Sequence, residues 1–352
     1  MGSKTGWIVA LALVLVVVVV AYLVILAPQP SLPRESNEDG FLDLKAVDIP
    51  LADAIGVTPS EPGNAAADYQ KAVSLWITHG STIEDAGDAA RQDALIASQE
   101  IWSDPAMQAC RQIAEHVAAG AKKEKMEYSF VYSPKTLRVA FHHPHSDHLF
   151  KVAVSVNLLY GIHKERKEYA EAEKCLRNMF ILGWHMVTER RLAEIERTGV
   201  EIMTDALPKL KGLYSVWAGA PKHRLPAIEK YAEDLVPISF NYRRKKKILW
   251  DNIPGRNPAT GEPMFYAGDV FHIAQNDKDP AWRAQAVIAL GPLKHIVTSR
   301  GDIKKTRNLI SLFLLSKDPI VEAAAKAADA MDVEAFRSMG SDFGDEDESQ
   351  GF

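Results

Sequence analysis

Residues 278–291 read KDPAWRAQAVIALG, and thirty-nine residues further on 317–330 read KDPIVEAAAKAADA. Lys278-Asp279-Pro280 thus returns as Lys317-Asp318-Pro319. An aspartate can cap a helix by accepting its first free N–H groups, and a proline suits the first turn, where its missing N–H is no loss. The alanines behind each start let neighbouring helices approach closely. With the same offset Trp282, Ala286 and Ala289 meet Val321, Ala325 and Ala328. Ahead of each start Val270, Phe271, Ile273 and Ala274 meet Leu309, Ile310, Leu312 and Phe313, so each copy reads helix, Asp-Pro turn, helix. Each such unit leaves an apolar face for a neighbour, and two rarely bury a core alone, so the preceding helices should complete the stack.

The run Asp279-Pro280-Ala281-Trp282-Arg283, continuing to Ala286, Ala289, Leu290 and Gly291, resembles the second helix of HEAT repeats over about residues 265–331. In the second copy Glu322 stands where the family has arginine and Asp329 stands opposite Leu290, which makes that unit divergent or a cap. Upstream, Leu149, Val152, Ala153, Val156 and Tyr160 share one helical face, and Tyr169, Ala172, Leu176, Met179, Phe180 and Gly183 share another. Over residues 146–188 this pair resembles a tetratricopeptide hairpin, with Ala172 and Leu176 at its small and larger apolar positions. It departs from that family at Tyr160, where a glycine would stand, and no second copy follows. The resemblances imply a mostly α chain with an α-solenoid architecture.

Between residues 64 and 146 the periodicity predicts a helix capped by Asn64 and carrying Ala65, Tyr69, Ala72, Val73 and Trp76. Further helices are predicted over 83–101 and 105–119. From 146 to 218 helical periodicity persists, with breaks expected near 164–167 and at Pro208. Tyr128, Phe130 and Tyr132 alternate, as do Leu137, Val139 and Phe141, so a short β-hairpin or extended loop is expected near 126–141.

Residues 7–27 read WIVALALVLVVVVVAYLVILA, without a charge. As a helix this run covers roughly 30 Å, the thickness of a bilayer's hydrocarbon core. Trp7 and Tyr22 lie toward its ends, where amphipathic aromatics favour the interface. A cleaved signal peptide has an apolar stretch of only about 7–15 residues and ends at a small-x-small site, whereas here Pro28 and Pro30 follow directly. The expectation is an uncleaved single-pass signal anchor. Lys4 precedes it, and Arg34 among Glu35, Glu38 and Asp39 follows, which favours a cytoplasmic N-terminus and an extracytoplasmic domain, periplasmic in a Gram-negative cell. The expected organisation is anchor 1–27, proline-rich tether 28–63 with apolar spots that dock on the domain, α-helical domain 64–264, HEAT-like pair 265–335 and acidic tail 336–352.

Ordinary globular proportions, 47% hydrophobic and 25% charged, set disorder aside as the default for these 352 residues, and a net charge of -5 argues against general nucleic-acid binding. Cys110 and Cys175 form neither a C-x-x-C pair nor a disulfide framework; buried thiols are the expectation, with one bridge left open. No G-x-S-x-G, P-loop or dinucleotide fingerprint occurs, so no catalytic residue is nominated. Glu194, Glu196 and Glu201, among Arg190, Arg191 and Arg197, read as ion pairs along an exposed helix face.

Two clusters stand out. His142, His143, His145 and His148, with Asp147, could bind zinc or another transition metal, since imidazoles are its ligands and His145 and His148 share a face at i, i+3. His163 or His185 could add to such a site. The preferred reading is a loop and helix start whose histidines cap backbone groups or face solvent. Arg243, Arg244, Lys245, Lys246 and Lys247, bounded by Tyr242 and Trp250, suit an anionic membrane surface or anionic partner; the preferred reading is a solvated helix face. The whole points to a membrane-anchored scaffold that binds a protein or cell-envelope partner without cofactor or catalysis. A metal-binding protein or metal-dependent hydrolase centred on the histidines is the alternative.

Overall fold

The structure, a computed structural model, describes residues 51–89, 99–128, 132, 144–189, 191–251, 267–296 and 300–332. The segment 7–27, the proline-rich stretch up to residue 50 and the acidic tail lie outside the described residues. Most of the expected hairpin near 126–141 does too. No helix among the described residues is long and apolar enough to cross a membrane.

The described chain is mostly helical, with few strands. In order it forms α1 (Leu51–Ile55), β1 (Glu61–Asn64), α2 (Ala66–Ala89), α3 (Pro105–Gly120), β2 (Lys123–Lys125), α4 (Pro144–Glu165), α5 (Tyr169–Glu189), α6 (Ala193–Val216), α7 (Leu225–Asp251), α8 (Ala267–Asn276), α9 (Pro280–Ile296), α10 (Arg300–Phe313) and α11 (Pro319–Asp329), with 3-10 turns at Gln99–Ser103 and Lys222–Arg224. From α2 onward each helix packs on a sequence neighbour: α2 on α3, α4 on both, α5 on α4, α6 on α5, α7 on α6, α8 and α9 on α7, α10 and α11 on α9. Such packed helix pairs are compatible with helical repeats.

Local signals place the helix starts. Asp104 accepts from the N–H groups of Ala106 (2.8 Å) and Met107 (3.3 Å), and Asp318 does the same for Ile320 (2.9 Å) and Val321 (3.3 Å). Each cap stabilises its helix by about 1 kcal/mol. Asn64 Oδ1 accepts from the N–H of Ala66 and from that of Glu127, which pins the start of α2 to the chain leaving β2. The two short strands pair in parallel, Glu61 with Lys123 and Asn64 with Lys125.

The helices also depart from the periodicity. α2 runs unbroken through Ile83, where a separate helix is expected. α6 continues through Pro208 because Leu207, Leu210 and Leu213 are buried on one side while Pro208 faces solvent; that packing outweighs one lost backbone hydrogen bond. The break falls instead at residues 191–192. The break near 164–167 is a tight turn in which Lys167 takes φ 59°, and Glu168 accepts from Arg166 Nε (2.8 Å) and lies 2.6 Å from His163 Nδ1.

Small residues set the closest approaches. α5 and α6 cross with backbones in contact, so that a Cβ on Gly183 would stand 2.6 Å from the carbonyl oxygen of Gly199. At Gly291 a Cβ would lie 3.2 Å from the Cα of Ala328, which seats α9 on α11. Leu51–Ile55, within the stretch read as tether, is a helix with Leu51, Ala54 and Ile55 buried against α7. Gly56, at φ 76°, ends it beside the Arg224 guanidinium, which reaches Glu173 (3.4 Å) on α5.

Candidate functional site

A buried polar cluster lies where α6, α7 and the α8–α9 turn meet. The first turn of α6 supplies Glu194 and Glu196, both buried. Arg197, one turn on, grips Glu194 through two bonds of 2.6 and 3.0 Å and reaches Glu201 at 2.7 Å. Lys246 of α7 adds a third bond to Glu194, 2.9 Å long. Burial alone would raise the Glu194 pKa, but hydrogen bonds and charge from Arg197 and Lys246 outweigh it and hold the carboxylate below its ordinary range. Ser146, at the start of α4, donates to the Glu194 carbonyl oxygen (3.3 Å) and lies 2.5 Å from Thr198 Oγ1, so this turn also positions the helix that carries His145 and His148.

Glu196 points the other way. Its carboxylate accepts from Tyr242 Oη (3.2 Å) and shares a hydrogen bond with Asp279. Burial raises the Asp279 pKa, partly offset by that bond and by the N–H of Ala281, which Asp279 caps at 3.0 Å. The neighbouring Asp277 accepts from the Asp279 N–H (3.0 Å) and forms an ion pair with Lys245. Lys245 is only 2% exposed; its ammonium lies 5.4 Å from the Trp282 ring centroid and 5.8 Å from that of Tyr242. Trp282 Nε1 is buried without a hydrogen-bond partner among the described residues. Chemically the cluster can share a proton between two carboxyl groups and neutralise a buried ammonium, which locks α6 and α7 to the α8–α9 pair.

The residues nominated from the sequence distribute as follows. Of the basic run, Lys245 and Lys246 turn inward onto Asp277 and Glu194, and Arg243, 68% exposed, reaches Glu201 at 3.5 Å. Arg244 is half-buried and engaged, and the Lys247 side chain lies outside the description. His142 and His143 also lie outside it, as does the side chain of His145. His148 is half-buried, 5.7 Å from the Trp76 ring. Among the described residues no group of three or more histidine, cysteine or carboxylate side chains is disposed to hold a metal ion.

His163 and His185 are held apart in separate networks. His163 sits beside Glu168 and 5.3 Å from the Trp102 ring. His185 Nε2 donates to the Lys123 carbonyl oxygen (2.9 Å), which can only accept, so Nδ1 accepts from Tyr69 Oη (2.7 Å). Cys110 and Cys175 are free, buried thiols, each pushed up to about 12 by burial. The buried roles of Glu194, Glu196, Asp277 and Asp279 escape a local reading, because their partners lie roughly 30 to 80 residues away. The one local signal is the doubled aspartate of Asp277-Lys278-Asp279 ahead of the proline. No family model matches the chain, and neither a curated protein nor a solved structure matches it.

Proposed function

We propose that this chain is a membrane-anchored helical scaffold whose extracytoplasmic domain binds a protein or cell-envelope partner through helix faces, without cofactor or turnover of its own. The anchor is residues 7–27, uncharged and bilayer-length, with the N-terminus in the cytoplasm. The domain is a solenoid in which α8–α11 are two HEAT-like units and α4–α5 a tetratricopeptide-like hairpin. The capping by Asp279 and Asp318 and the close seating of α9 on α11 support that reading.

One observation carries the functional claim. Large apolar side chains stand exposed in pairs one helical turn apart, Phe150 with Val154 on α4 and Val236 with Phe240 on α7, while Ile77 on adjoining α2 is 58% exposed. The charged groups of the α6–α7–α9 cluster, by contrast, are spent on one another inside the fold. Apolar side chains kept in water in such pairs support partner contact through the outer faces of α4 and α7. A photo-crosslinking residue placed at Phe150 or Phe240 of the full chain in native membranes should give one discrete adduct, with none from Lys71 on α2. With the crosslinking residue at Phe150, Val154→Glu should abolish the α4 adduct without unfolding the domain. Equal labelling at all three positions would refute the reading.

A further inference from the structure

α10 turns Thr306, Leu309, Ile310 and Phe313 inward. Its outer side carries Arg300, Lys304, Lys305 and Arg307, all exposed, against one carboxylate on the same helix, the half-buried Asp302. Among the described residues none of these four cations has a carboxylate within ion-pair distance; Lys305 instead lies over the Phe271 ring at 4.7 Å. Of the acids of adjoining α11, Glu322 pairs with Lys326 at 2.6 Å and the charge of Asp329 acts on Lys294 of α9, while Asp318 is engaged with the start of α11. Nor does α9 supply a counter-charge, since it brings Lys294 toward Arg307.

The arrangement works against the helix that bears it. Arg300 and Lys304 are four residues apart and Lys304 and Arg307 three, so like charges face one another, and Arg300 lies in the first turn, where the backbone dipole is already positive. An external anion would relieve both effects. Further along the same outer side Leu312 is 59% exposed and Leu315, in the turn that follows, 83%. A cationic stretch adjoining bare leucines is the pattern of an interfacial helix: charges for headgroups, leucines for the acyl boundary.

We propose that the outer face of α10 and its following turn rest on an anionic lipid surface, with Arg300, Lys304 and Arg307 against headgroup phosphates and Leu312 and Leu315 entering the interface. The basic run 243–247 does not fill this role, because Lys245 and Lys246 are already neutralised by Asp277 and Glu194. The inference rests on the reading of residues 7–27 as the anchor that keeps a bilayer within reach.

The test uses the full chain with Leu315→Cys carrying a polarity-sensitive fluorophore, since Cys110 and Cys175 are buried; Lys71→Cys serves as control. The chain is reconstituted into vesicles of phosphatidylcholine alone, or of phosphatidylcholine and phosphatidylglycerol in equal parts. The emission at 315 should shift to the blue only with phosphatidylglycerol, return in high salt and leave the control unchanged. Lys304→Gln with Arg307→Gln should lower the bound-to-free ratio about 30-fold, two surface cations being lost. Identical emission in the two lipids, with the chain floating with both, overturns the proposal. So does an equal shift produced by soluble polyglutamate without vesicles, which would point to an acidic protein partner. A chain that fails to float with phosphatidylcholine sinks the anchor reading instead; flotation that depends on phosphatidylglycerol and on Lys304 and Arg307 would still uphold the α10 face, and its absence would overturn it.

Discussion

The Lys245 ammonium of α7 and the Asp277 carboxylate ahead of α9 form an ion pair with side chains only 2% and 7% exposed, stacked beneath Trp282. Neither charge has water to fall back on. Lys245→Met leaves Asp277 buried and unpaired and should cost about 3–5 kcal/mol, while Lys245→Met with Asp277→Asn should recover much of the loss. Chemical denaturation of the two single variants and the double variant gives the coupling directly. Additive losses would mean that the pair does not join α7 to the α8–α9 turn.

The crossing of α5 and α6 makes a second prediction. Alanine is ordinarily the better helix residue, yet at Gly183 or Gly199 its methyl would meet backbone oxygen at 2.6 or 2.5 Å. Gly183→Ala and Gly199→Ala should therefore each destabilise by about 1–3 kcal/mol. A methyl added at Gly161 on α4 would meet nothing within 4 Å, so Gly161→Ala should stabilise by about 0.5–1 kcal/mol. Thermal melts that ranked the three alike would contradict the close approach.

Glu189 and His185 lie one turn apart on α5 and give opposite pH dependences. Burial pushes the Glu189 carboxyl up to about 7 from 4.5, even though it accepts from the Tyr128 N–H and faces Arg191. Because its folded pKa is raised, its contribution is full below about 4.5 and lost as pH rises through about 7. Burial lowers His185 to about 4 from 6.5, so its contribution is full above 6.5 and lost as pH falls through about 4. In Glu189→Gln the opposing carboxyl contribution is gone, so stability should fall more steeply on acidification than in the parent, with His185 accounting for up to about 3 kcal/mol of the loss. Urea titrations of the variant and the parent at matched pH check this; superimposable profiles would refute it.

The scaffold reading also predicts that the untagged full chain carries metal well below stoichiometry, unaltered by His145→Ala with His148→Ala. Elemental analysis after purification decides the matter. One zinc per chain, lost in the variant, would favour a metal protein instead.

What could be read in advance was local. The Asp-Pro starts at 279 and 318, the Asn64 cap and the turn after residue 164 each lie within four residues of the groups they satisfy. The buried acids were not legible, because Glu194 and Arg197 look the same on an exposed face as in a joint. Only Lys246 and Tyr242, which arrive from another helix, distinguish the two. For the same reason five consecutive cations on α7 read as one surface, although a helix turns successive residues through about 100° each. Pro208 misleads because its cost is local while the burial of Leu207 and Leu210 that outweighs it is tertiary.

The central claim is a domain held outside the cytoplasm by residues 7–27. Its most direct test is expression of the full chain in a Gram-negative host, carbonate extraction of the membranes, and protease treatment of intact spheroplasts. The account predicts that the chain stays in the membrane pellet and that the protease removes the domain down to a short protected N-terminal fragment. Release of the intact chain by carbonate, or a C-terminus protected until the spheroplasts are lysed, would contradict it.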